Sequence, residues 1–319
     1  MSLLWRDRLQ VFFAPGEVSV VRFPKGLRYE GLKFRGLKFK GLKFGSLKFG
    51  SLKFGSLKFG SLKFGSLKPK PEETVSAVCE QKIGGAPWES PLEELERCLE
   101  GAGGTDVVIT ISNHFVRYSV LAPQKDIANP SELNSYAEFH MREVFGERAA
   151  GWVLSIGAWD PCNGGVCAAI DRELYDRLEE LAVRSKARLQ YIEPYLTSAF
   201  DHCRKRLEDS RSWFALVEAG RLCLALLEHG AWQYIRNQRI VQDIKGELLA
   251  TLDQEAILSA YSGRAAGTVY LLAPGYPQFT LPEDCSWRIV WLAPDYMTAP
   301  QHFPRLPAAG ETTTCAASG

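Results

Sequence analysis

The 319 residues, 46% hydrophobic and 24% charged, supply enough apolar material for one large domain or two small ones with a sizeable core. No apolar run approaches the ~20 residues that cross a bilayer as a helix, and the start Met1-Ser2-Leu3-Leu4-Trp5-Arg6 has neither an h-region nor a small-residue cleavage site, which argues against secretion. The formal net charge of +1 hides an asymmetry: residues 25–70 carry 13 of the 38 Lys/Arg and one of the 37 Asp/Glu, so a basic arm is joined to an acidic body. The 8 cysteines are irregularly placed, with Cys162 and Cys167 the one close pair and no CxxC or Cys/His spacing. They read as cytoplasmic thiols, and no metal site is expected.

In chain order, Leu9–Phe13 and Val18–Phe23 are β-rich runs around Ala14-Pro15-Gly16-Glu17 and predict a hairpin. A five-residue unit then runs from 26 to 68, loosely at first (Gly26-Leu27-Arg28-Tyr29) and as strict Gly-Ser-Leu-Lys-Phe from Gly45 to Phe64. As a helix the unit steps each Leu round by ~140° and forms no apolar stripe. As a strand it puts Leu and Phe on one face, but its odd period sends the next pair to the other. A pentapeptide β-helix escapes both problems but has barely two coils, so a flexible tandem expansion in a loop is preferred. Its Phe and Lys suit adsorption to an anionic membrane surface. Nucleic acid is not an expected partner.

Beyond the repeat, Thr74–Val78 predicts a strand. Ser90-Pro91-Leu92-Glu93 predicts a helix start with Ser90 as N-cap, an apolar face of Leu92, Leu95 and Leu99, and an end at Gly101. Asp106–Ile111 and Phe115–Leu121 predict two strands. Asn129-Pro130 predicts a capped helix with Leu133, Tyr136, Ala137, His140 and Val144 on its apolar face. Trp152–Ile156 and Val166–Ile170 pair around Asp160–Gly165. Asp171 caps a helix of Leu174, Leu178 and Leu181, Leu189–Ile192 is a short strand, and Pro194 starts another helix. Three strands follow (Trp213–Val217, Leu222–Leu227, Trp232–Ile235) with turns at Gly220 and Gly230. A helix with Ile244, Leu248, Leu252, Ile257 and Leu258 apolar comes next, then strands at Val269–Leu272 and Trp287–Leu292. Each half opens on a hairpin and continues with mixed elements, which predicts a two-lobed α/β layout rather than one doubly wound sheet.

The string Ser112-Asn113-His114-Phe115-Val116-Arg117-Tyr118, after Val107-Val108-Ile109-Thr110-Ile111, resembles a signature of the PilM-like and MSHA-biogenesis-like pilus-assembly proteins of the actin-like ATPase superfamily. The resemblance covers residues 9–23 and 75–298, and Ala122-Pro123 stands where Pro-Trp often follows. It implies a two-lobed actin-like (ribonuclease H-like) fold, with residues 1–25 as the first hairpin, 26–70 as the inserted arm, 71–210 as lobe 1 and 211–298 as lobe 2; residues 299–319, rich in Pro, Ala, Gly and Thr, read from composition as a disordered tail. It also implies a cytoplasmic scaffold, peripheral to the inner membrane, that binds a membrane-anchored pilus or secretion component. In that fold an Asp-x-Gly-type turn of each hairpin meets phosphate, whereas this chain has Ala14-Pro15-Gly16, Glu218-Ala219-Gly220 and, at the adenosine turn, Ala273-Pro274-Gly275. The implied nucleotide cleft is therefore degenerate and no cofactor is expected. If ATP and Mg²⁺ bind at all, Gly16, Glu218, Gly220 and Gly275 are the candidate contacts, and a weak ATPase stays as the alternative, as does a function residing in the repeat itself. Alternation along a strand separates His114 from Arg117, and no nucleophile accompanies them. With Asn113 they are read as structural or partner-binding, Arg117 as an anchor for a carboxylate or partner.

Overall fold

The computed structural model describes residues 7–23, 39, 73–80, 84–207, 211–241, 243–260, 267–276, 278–281, 285 and 287–293. The tail 299–319 and every residue of the repeat except Phe39 lie outside this set.

Strands β1 (Arg8–Ala14) and β2 (Glu17–Phe23) form the expected hairpin, in register from Arg8↔Phe23 to Ala14↔Glu17. Strand β3 (Glu73–Val78) pairs antiparallel with β2. Helix α1 (Glu89–Cys98) crosses over to β4 (Asp106–Ile111), which runs parallel to β1. The helix does not start at Ser90: Trp88 is its N-cap and makes no side-chain cap bond. The Glu89 carboxylate accepts from the Ala86 N–H instead, and Leu92 N–H already bonds Trp88 O, so the first turn forms before Ser90 can cap it. Leu95 and Leu99 are buried as their spacing requires. Val107 to Ile111 are all buried, as befits a central strand covered on both faces.

An excursion follows. Strand β5 (Val116–Leu121), helix α2 (Pro130–Phe145), strand β6 (Trp152–Asp160) and strand β7 (Gly164–Asp171) build a three-stranded antiparallel sheet of order β5-β7-β6. Asn129 caps α2 as its type predicts, its Oδ1 accepting from the N–H groups of Ser131 and Glu132, each at 3.0 Å. The buried side of α2 is carried by Ala137 and Met141, while Val144, expected inside, is 53% exposed. Phe145, the next residue, packs edge-on against Trp152 at 5.3 Å instead.

Helix α3 (Arg172–Arg184), capped by Asp171, buries Leu174, Leu178 and Leu181 and delivers the chain to β8 (Arg188–Pro194), parallel to β4. Helix α4 (Tyr195–Cys203) begins directly after Pro194. The second half then repeats the first: β9 (Arg211–Glu218), β10 (Arg221–Glu228) and β11 (Ala231–Arg239) are antiparallel, α5 (Ile244–Ala260) crosses over, and β12 (Thr268–Leu272) and β13 (Arg288–Trp291) run parallel to β9. Leu248 and Leu252 of α5 are buried, but Ile257 is 66% exposed, because α5 turns one stripe, not its whole circumference, to the sheet. The two large sheets have orders β3-β2-β1-β4-β8 and β11-β10-β9-β12-β13, the same plan twice. Helix α4 ties them. Phe200 stacks edge-on against Phe214 of β9 (5.7 Å) and Trp232 of β11 (4.7 Å), while Tyr195 meets Phe12 of β1 at 5.0 Å. One apolar core thus includes Val11, Phe13 and Ile109 of the first sheet and Phe214, Leu216 and Tyr270 of the second.

Candidate functional site at the seam between the lobes

Ser112, Asn113 and His114 form the tight link between β4 and β5. Ser112 N–H donates to Phe13 O at 2.8 Å, so the first hairpin fixes where the link lies. Opposite stands the β9–β10 turn, Glu218-Ala219-Gly220, in which Gly220 takes φ 72°, a left-handed conformation that costs glycine little. The Glu218 carboxylate reaches across. Oε2 accepts from Ser112 Oγ at 2.6 Å and Oε1 from Asn113 N–H at 2.9 Å, with the residue only 2% exposed.

Asn113 is the hub of this seam. Its Oδ1 accepts from the Tyr118 hydroxyl (2.6 Å) and from Leu196 N–H at the start of α4 (3.1 Å). Asn237 Nδ2, on β11, donates to Asn113 O (2.8 Å) and Val116 O (3.0 Å), and Arg221 donates to Asn237 Oδ1 (3.1 Å). The network joins the lobes through buried groups that would otherwise be stranded, although Asn113 Nδ2 and Arg221 Nε within it are buried without a hydrogen-bond partner among the described residues. His114 Nε2 lies 2.8 Å from Ala219 O. A carbonyl can only accept, so Nε2 carries the proton.

Charge at the seam is set by burial. Burial raises the Glu218 carboxyl above the ordinary carboxylate range, against the bonds from Ser112 and Asn113 and the positive Arg221, which pull it down. Burial lowers His114; the bond to Ala219 opposes this, and Arg221, Arg239 and Arg117 reinforce it. Arg117 is itself lowered, by burial first and then by Arg221, Arg148 and Arg239, which marks a convergence of positive charge beside the seam.

The structure brings most of the sequence-derived candidates together. Asn113 and His114 meet Glu218 and Ala219 directly. Gly275, at φ 81°, lies in the turn after β12, whose Tyr276 hydroxyl approaches Glu218 O at 3.4 Å. Gly16 stands apart from these contacts, its carbonyl accepting from Cys79 N–H at 2.9 Å. Arg117, read as an anchor for a carboxylate or partner, is held within this chain by backbone acceptors. Its guanidinium donates to the carbonyls of His114 (3.3 Å) and Val116 (3.0 Å). Sequence reasoning missed Asn237, Tyr118, Arg221 and Tyr276. Asn237 bonds a residue 124 positions away, and nothing local on β11 marks it.

A magnesium-nucleotide needs a carboxylate facing the cleft and successive backbone N–H groups to cradle phosphate. Glu218 is instead buried with both oxygens engaged by the other lobe, and Pro15 and Pro274 each remove an N–H from the remaining turns. These residues do not fit that ligand as placed. Among the described residues no group of His, Cys, Asp and Glu is arranged to hold a metal ion, and no helix is long and apolar enough to cross a membrane.

No protein-family model matches the sequence, and no curated protein matches it either. Solved structures do match the fold. In the PilM-PilN type IV pilus biogenesis complex, one chain is similar at 12% identity and TM-score 0.53, over 84% of this chain and 81% of that one. A Bacteroides thetaiotaomicron protein of unknown function with an actin-like ATPase fold is similar at 11% identity and TM-score 0.50, over 85% and 82%. The duplicated sheet plan and these likenesses give one conclusion: the chain has the two-lobed α/β fold of the actin-like ATPases.

Proposed function

We propose that the protein is a non-catalytic platform of a type IV pilus or related secretion assembly, cytoplasmic and peripheral to the inner membrane, holding an extended segment of a membrane-anchored partner. The observation that carries this reading is the fate of Glu218: the carboxylate that an actin-like ATPase needs in its cleft serves here as a strut between lobes. The likeness to the chain from the PilM-PilN complex supports the pilus setting at the level of fold. Calorimetric titration with ATP and Mg²⁺ tests it: no binding is expected below about 1 mM, a standard free energy of about −4 kcal/mol. Micromolar binding that Glu218→Ala abolishes overturns the platform reading. Capture by a synthetic peptide of the cytoplasmic N-terminal segment of a single-span pilus-assembly membrane protein is the positive counterpart.

A second reading, weak nucleotide binding, draws support from the arginines that converge beside His114. The same titration separates it from the first, since an arginine-held nucleotide loses affinity in Arg221→Ala and keeps it in Glu218→Gln. The basic arm adds a membrane contact to the platform reading. Sedimentation with anionic liposomes tests this, and equal pelleting of wild type and a 26–68 deletion removes it.

A further inference from the structure

Phe39 lies in the Leu37-Lys38-Phe39 unit of the repeat, yet it is 2% exposed and belongs to the main core. Its N–H donates to Ile192 O at 2.9 Å and its carbonyl accepts from Ile192 N–H at 3.1 Å, a closed antiparallel pair on β8. β8 is the last strand of its sheet, and an open edge of this kind presents unpaired backbone groups to any extended chain.

The register explains why this position suits an aromatic side chain. Val20, Val11, Ile109 and Ile192 are neighbours across β2, β1, β4 and β8, so their side chains share one face, and all are buried. Phe39 pairs with Ile192 and ends the row. At the opposite end Val75 of β3 is 44% exposed, which shows what an uncapped end of the row looks like.

We propose that the β8 edge beside Ile192 is a docking site for the Leu-Lys-Phe unit of this chain's own arm, occupied by Phe39 and equally able to take any of the other units. Leu-Lys-Phe occurs seven times between Leu32 and Phe64, so one site faces seven near-identical ligands. In an extended strand the odd period puts successive Leu/Phe pairs on opposite faces, so the edge seats one unit at a time. Chain length permits every choice. A unit docked on the outer edge of β8 lies four strand spacings from β2 and five from β3, about 19 and 24 Å. Extended chain from Phe23 to Phe34 reaches about 36 Å, and from Phe64 to Glu73 about 30 Å. The acidic balance of the rest of the chain favours contact with a basic arm in general, and tethering raises the local concentration of each unit to the millimolar range. The repeat thereby becomes a self-docking strap with redundant copies of its plug. This inference concerns the edge of the first sheet and stands independently of what the seam binds.

The test is amide hydrogen exchange at Ile192, whose N–H has Phe39 O as its acceptor. Three variants of the full chain are compared: Phe39 retained with the other six repeat phenylalanines changed to Ala, Phe54 alone retained, and all seven changed. The first two are expected to protect Ile192 to within about threefold of wild type. The third is expected to exchange at least about tenfold faster there, with Val11 and Ile109 unchanged. A Phe54-only chain that leaves Ile192 unprotected, or fails to fold where the Phe39-only chain folds, overturns interchangeability. A chain lacking all seven that still protects Ile192 overturns the docking site itself.

Discussion

Glu218 gives the sharpest test, because its replacements separate geometry from charge. Glu218→Ala leaves Asn113 N–H buried without an acceptor, which costs about 1–3 kcal/mol, and removes one buried methylene worth about 0.8 kcal/mol. Release from burying a charge offsets part of this, so a net loss of about 2 kcal/mol is expected, lowering the melting temperature by about 5 °C. Glu218→Gln keeps an acceptor for Asn113 N–H and can donate to Ser112 Oγ, so its stability near pH 5 should lie within about 0.5 kcal/mol of wild type. The pH dependence has a definite sign. The folded-state pKa of Glu218 is raised, so above the ordinary value of 4.5 the native state binds the extra proton and wild type loses stability as pH rises towards the folded value. Gln has no such slope, so it should gain on wild type as pH climbs from 4.5. Urea unfolding of the three proteins from pH 4.5 to 8 measures this. A Glu218→Ala loss under about 0.5 kcal/mol, or a wild-type advantage over Gln that grows with pH, refutes the assignment of Glu218 as a buried strut.

Other predictions follow from single residues. Gly164→Ala should cost about 3 kcal/mol or more in thermal unfolding, since a Cβ there sits 2.2 Å from Leu121 O at φ 78°. Gly220→Ala, at φ 72° but with open space around it, should cost only about 1–2 kcal/mol. Asn129→Ala should lose about 1 kcal/mol by the same assay, and Asn129→Ser should restore most of it. His114 has a lowered folded-state pKa, so its contribution is complete above 6.5 and is lost as pH falls below 6.5 towards the folded value; the ring resonances followed by NMR should titrate below 6.5.

Local chemistry wrote much of this fold into the sequence. Asn129 and Asp171 were legible as caps because a short polar acceptor before a periodic apolar run has one common use. The hairpins at Gly16 and Gly220 were legible for the same kind of reason. Ser90 misled because the bond from Ala86 N–H to Glu89 started α1 two residues early, with Trp88 rather than Ser90 as N-cap, a choice made by the preceding turn. Val144 misled because the last turn of α2 seats Phe145 rather than Val144 against Trp152, and Ile257 because it lies about 180° round α5 from Leu248, off the buried stripe.

The seam and the strap were not legible, for a physical reason. Glu218 could be named as a carboxylate at a phosphate-type turn. That it turns inward to Ser112 and Asn113, and that Asn237 holds their backbone, depends on packing two lobes whose residues lie over a hundred positions apart. The repeat announced its period and its charge by sequence alone. Only the sheet decided that one of its phenylalanines belongs to the core, because the row from Val20 to Ile192 exists only once four separate strands are in register.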